Sequence, residues 1–180
     1  MGSPDLRLEH PDVSIWQAAA KGDLDTLRYY IDHNETDLAV LLNTRDPETE
    51  CTLLHLVISS VSDPYPMLRL LLEHGAEPIA RNVYNVYPIQ LLSLHCSDPL
   101  PSMKLLLEYE ADPNARDGDG WTPLHYAARF CRDPQPVMQL LVQHGADINA
   151  KDASQRSPIF LLLANGDHAT ALNWLVHDAK

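Results

Sequence analysis

The chain has 180 residues, 45% hydrophobic and 21% charged, an ordinary balance for a soluble globular protein, at a length that buries about 70% of the unfolded surface in one domain. Its formal net charge of −12 argues against nucleic acid or an anionic membrane as the main partner, and no apolar run approaches the ~20 residues of a membrane span. The three cysteines, with no secretory signal in view, read as reduced thiols of a cytoplasmic or nuclear protein that is not secreted.

In chain order, residues 1–12 are polar and carry little pattern. They begin Met1-Gly2-Ser3-Pro4 with neither a basic n-region nor an apolar h-region, and read as a flexible segment or tag remnant. Ser14 and Gln17 have the spacing of a capping box, and a helix follows through Trp16, Ala18 and Ala19. Gly22-Asp23 punctuates it. Leu24, Leu27, Tyr30 and Ile31 then form a second helical stripe. Residues 32–46 make a long connection in which residues 38–42 add a helical turn.

From there the chain repeats. Leu54, Ile89, Leu124 and Ile159 are each 35 residues apart, as are His55, Gln90, His125 and Phe160. Asp63-Pro64-Tyr65-Pro66, Asp98-Pro99-Leu100-Pro101 and Asp133-Pro134-Gln135-Pro136 follow the same spacing. Each Asp is expected to be an N-cap and each following Pro the first helical residue, where its missing N–H would have had no partner. Glu110 stands where Gly75 and Gly145 end a helix, so a left-handed cap there costs on the order of 1 kcal/mol.

The clearest copy is 117–149. Asp117-Gly118-Asp119-Gly120 is turn chemistry, Thr122 is an N-cap, and Pro123 is the first helical residue. Leu124, Ala127 and Ala128 give a small apolar face; Val137, Leu140 and Leu141 form the stripe of a second helix; Gly145 ends it. With Gly120, Thr122-Pro123-Leu124-His125, Ala127-Ala128, Leu140-Leu141 and Gly145-Ala146-Asp147-Ile148-Asn149 in this order, the unit resembles the ankyrin repeat.

That resemblance implies an all-α solenoid of stacked helix-turn-helix units joined by hairpin loops. It divides the chain into a domain at 13–180 with repeats at about 13–46, 47–81, 82–116, 117–151 and 152–180. The family period is about 33, and the two extra residues here fall between the helices. His55 and His125 are implied to be buried imidazoles bonding neighbouring turns. Leu141 and Asn149 also match a pattern associated with asparagine hydroxylation in this family, although hairpin asparagines bond turn backbone in any case.

No chemistry-bearing motif stands out. There is no G-x-S-x-G, phosphate loop, H-E-x-x-H or C-x-x-C, so neither an enzyme nor a cofactor nor a metal is expected. Cys96 and Cys131 are repeat-equivalent, about 10 Å apart in such an array, too far for a disulfide.

Binding remains. The family contacts partners through hairpin tips and first helices, which here places Tyr84, Val86, Leu94 and His95 in one repeat and Asp119, Trp121, Arg129 and Phe130 in the next. Aromatics and Arg are the residue types that anchor interfaces. Trp121 packing along the adjacent hairpin, and Leu94 or Phe130 filling space between helices, are the plain alternatives. The expected function is a protein-protein interaction module, a monomeric segment of a larger regulatory or scaffold protein. Its partner is a protein or peptide with a basic surface, with no nucleic acid and no membrane insertion. A stand-alone ankyrin-type inhibitor of an enzyme such as a protein kinase is the alternative. The apolar Leu161, Leu162, Leu163, Leu172, Trp174 and Leu175 of the last repeat favour a fragment.

Overall fold

The computed structural model describes residues 13–33, 37–166 and 168–177; the segment at 1–12 read as a tail or tag remnant lies outside them. The described residues form eleven α-helices and no strand. Five are the first members of pairs: α1 (Ile15–Lys21), α4 (Leu53–Ser60), α6 (Pro88–His95), α8 (Pro123–Phe130) and α10 (Pro158–Ala164). Their second members are α2 (Leu24–Asp32), α5 (Tyr65–Glu73), α7 (Leu100–Glu108), α9 (Pro134–Gln143) and α11 (Ala169–His177). A short α3 (Leu38–Leu42) sits in the long connection. First helices stack on first helices and second on second, giving two layers.

Local chemistry starts and stops these helices where the pattern requires. The Ser14 Oγ accepts from the Gln17 N–H at 3.2 Å and the Gln17 Oε1 accepts from the Ser14 N–H at 3.1 Å, closing the capping box. Gly22 ends α1 at φ 73°. Glu110 does adopt the left-handed conformation, at φ 64°, beside Gly75 at 97° and Gly145 at 90°. A second left-handed column was not foreseen: Glu50, Asn85, Gly120 and Gln155, one per hairpin, lie between φ 54° and 77°.

The Asp-Pro elbows need correction. Only α9 begins on its proline; α5 and α7 begin one residue later, after Pro64 and Pro99. Asp63 and Asp98 still accept from the N–H two residues on, each at 3.3 Å. Asp133 precedes α9 and makes no side-chain cap bond. Pro64 and Pro99 already have helical φ and ψ, so the shift is a matter of where the hydrogen-bond ladder closes.

The core runs between the layers. Leu54, Ile89 and Leu124 from the first helices, with Leu68, Met103 and Met138 from the second, are at most 1% exposed. Burying each such side chain is worth roughly 1.5–3 kcal/mol. In the last pair Leu161, Leu162 and Trp174 are buried and Leu172 and Leu175 half-buried, while Phe160 and Leu163 are exposed.

Polar columns fix the register between pairs. The His55 Nδ1 accepts from the Thr52 N–H at 3.2 Å, and its Nε2 donates to the Val86 carbonyl at 3.0 Å. His125 repeats this with the Thr122 N–H at 3.1 Å and the Arg156 carbonyl at 3.0 Å. Gln90 does the same work: its Oε1 accepts from Tyr87 at 2.8 Å and its Nε2 donates to the Trp121 carbonyl at 2.7 Å. Asn114 spans two units as well, donating to the Gly145 carbonyl and accepting from the Asp147 N–H.

Candidate functional site

The hairpin tips are built by one device used three times. The Oδ1 of Asn82, Asp117 and Asp152 each accepts two backbone N–H groups, from the residues two and four positions on, at 2.8–3.0 Å. The side chain thereby closes the turn. Successive tips are joined by backbone bonds: the Val83 N–H to the Thr49 carbonyl, Gly118 to Tyr84, and Ala153 to Asp119. Any side chain on Gly118 would crowd that joint, since a Cβ there would lie 3.3 Å from the Tyr84 oxygen.

Between the hairpins at 82–87 and 117–122 lies an open cleft of about 400 Å³ whose lining includes Tyr84, Val86, Asp117, Asp119 and Tyr126. Three of the eight expected contact residues therefore meet here. Tyr84, 72% exposed, is among the lining residues. Val86 is half-buried, and its carbonyl holds His55. Asp117 is fully engaged: Oδ1 in the turn, Oδ2 accepting from the Tyr126 hydroxyl at 2.7 Å. Burial, and then this bond, push the Tyr126 phenol well above its ordinary range, so it stays a donor. The Asp119 side chain is exposed.

Beside the cleft the rings of Trp121, Tyr126 and Phe130 cluster. Trp121 meets Tyr126 edge-on at 5.6 Å and lies 6.1 Å from Phe130, and Tyr126 is 5.8 Å from Phe130. Trp121 is thus half-buried against its own following helix. Two guanidinium groups cover the cluster: Arg129 over Phe130 at 5.6 Å and Arg156 over Trp121 at 5.7 Å. Such contacts contribute about 0.5–1 kcal/mol at exposed sites. Arg156 also pairs with the buried Asp152 at 2.8 Å, and Arg129 donates to Asn165.

Tyr126 connects cleft and cluster, and sequence reasoning passed over both it and Arg156. The signal for Tyr126 was available: it is four residues before Phe130, on the same helix face. Leu94, 45% exposed, and the exposed His95 end α6 and lie outside the cleft lining. Cys51, Cys96 and Cys131 are free thiols, and burial pushes those of Cys96 and Cys131 up to about 11. Among the described residues no three His, Cys, Asp or Glu side chains gather as metal ligands, and no helix is long and apolar enough to cross a membrane.

Comparison with known families agrees with this architecture. Residues 84–152 match the model described as ankyrin repeats (3 copies), and residues 132–176 the one described as ankyrin repeats (many copies). No curated protein matches the chain. The matched stretch spans the third to fifth helix pairs, their hairpins and the Thr-Pro-Leu-His latch, and the chain belongs to the ankyrin-repeat family.

Proposed function

We propose that the chain binds a partner protein on the face formed by its hairpin tips and first helices, as a segment of a larger regulatory or scaffold protein. Residues 13–180 act as one domain of five repeats in this reading. The contact residues are Tyr84, Val86, Leu94, His95, Asp119, Trp121, Arg129 and Phe130. One observation carries it: an open cleft adjoins a cluster of three rings and two guanidiniums on the same side of the array. Large aromatic and arginine side chains are the usual anchors of protein interfaces. Ankyrin repeats are general protein-protein interaction modules.

The net charge of −12 favours a partner with a basic surface, because complementary potentials speed encounter and exclude wrong partners. The free thiols fit the reducing conditions of the cytoplasm or nucleus.

The test is affinity capture with the parent chain and a Tyr84→Ala, Phe130→Ala version side by side. Both side chains are exposed, so circular dichroism should show equal helicity. A protein held by the parent and released by the double variant supports the face. Equal retention by both places the contact elsewhere and rejects this reading.

A further inference from the structure

We propose that the cleft between the hairpins at 82–87 and 117–122 receives an arginine side chain of a basic peptide segment in the partner. The inference rests on the docking face above and names the chemistry of one subsite within it.

The argument starts from how this face treats its own cations. Arg156 has a ring on one side, Trp121 at 5.7 Å, and a carboxylate on the other, Asp152 at 2.8 Å. Arg129 lies over Phe130 and donates to Asn165. Arg116 donates to the Gly120 and Lys151 carbonyls at 3.1 and 2.7 Å. Each of these guanidiniums is therefore already provided for. The cleft lining holds the same residue types with no cation of the chain among them: the exposed Tyr84, Tyr126, and the exposed Asp119 beside Asp117. Among the described residues no ion pair holds the Asp119 carboxylate.

Arginine fits better than lysine. A planar guanidinium can lie on a tyrosine face and still direct a fork of N–H donors at a carboxylate, whereas an ammonium is a hydrated point charge. About 400 Å³ of open space admits the head group beside a hairpin backbone whose Gly118, Asp119, Gly120 and Trp121 N–H groups are already paired. The acidic Asp119 is the charge partner and the Tyr84 ring the platform.

The test is selection of peptides from a random display library on the intact parent chain, followed by fluorescence anisotropy on the enriched sequences. The expected result is a shared arginine. Its replacement by citrulline, the neutral isostere, should weaken binding to the parent by about tenfold or more. The same replacement should change binding to Asp119→Asn by only about twofold, because the charge partner is gone. Tyr84→Ala should also weaken binding, and affinity should fall as salt rises. Enriched peptides that share lysine, acidic or only apolar residues overturn the arginine subsite, as does a citrulline penalty unchanged by Asp119→Asn. If those peptides still depend on Phe130, the docking face stands without the subsite. If nothing is enriched, or if binding ignores both Tyr84→Ala and Phe130→Ala, the subsite and the face fall together.

Discussion

A buried imidazole that must accept at one nitrogen and donate at the other has a single usable protonation state. His55 and His125 are in that position, accepting a threonine N–H at Nδ1 and donating to the next hairpin's carbonyl from Nε2. Burial, the largest influence, holds both below the ordinary value of 6.5, although the carbonyl bonds oppose it. The unfolded chain then binds more protons than the folded one below pH 6.5, so stability is full above that pH and lost as pH falls through it. Urea midpoints should drop as pH falls below about 6.5, and a His55→Gln, His125→Gln chain should show a flatter profile. Gln90 already shows that an amide can make both bonds. His125→Phe, which leaves the Thr122 N–H and Arg156 carbonyl without their partner, should cost about 2–3 kcal/mol by the same measurement. The histidine role was legible through family resemblance. Tyr126 was legible only as a neighbour of Phe130 one helical turn away; its contacts with the Asp117 carboxylate and the Trp121 ring come only with the folded hairpin.

At the level of elements, helix ends decide the local energetics. Glu110 holds φ 64° where the equivalent residues are Gly75 and Gly145. A Cβ at either glycine meets nothing within 4 Å, so the penalty at this position is one of backbone conformation alone. Glu110→Gly should stabilise the chain by about 1 kcal/mol in chemical denaturation; no gain would mean that the glutamate side chain offsets its own strain. The elbows give a graded expectation. Asp63→Ala and Asp98→Ala each remove a long, exposed cap bond and should cost about 0.5 kcal/mol, while Asp133→Ala, with no such bond, should be near neutral. The tetrapeptide pattern is the same in all three, so sequence predicted three equal caps. What differs is where each helix closes its first hydrogen bond. The left-handed Glu50 and Gln155 were equally hidden, since neither residue type announces positive φ as Gly120 does.

At the scale of the molecule, the main helix contacts among the described residues run within a pair or to the adjacent pair, so stability is close to a sum of pairs and interfaces. Among the described residues the α10–α11 pair has a stacked neighbour on one side, and Phe160 there is 53% exposed. Amides of α10 and α11 should exchange with solvent about tenfold or more faster than those of α6 and α8, read by hydrogen exchange. Uniform protection would instead make the array a single cooperative unit. The helical pairs, the period and the core columns were all legible, because repetition multiplies a weak periodic signal. The cleft was legible only as scattered tips, since its walls come from two units 35 residues apart in sequence.

The latches between units grip the main chain. His55, Gln90 and His125 bind the carbonyl oxygens of Val86, Trp121 and Arg156, three residues with no chemistry in common. Any amino acid presents the same oxygen, so the grip is blind to the side chain carried at the receiving position. Two of those positions, Val86 and Trp121, lie on the proposed contact face. Mutation can therefore rewrite what the array recognises there while leaving untouched the bonds that keep its units in line, and affinity for new partners can evolve without a matching loss of foldability.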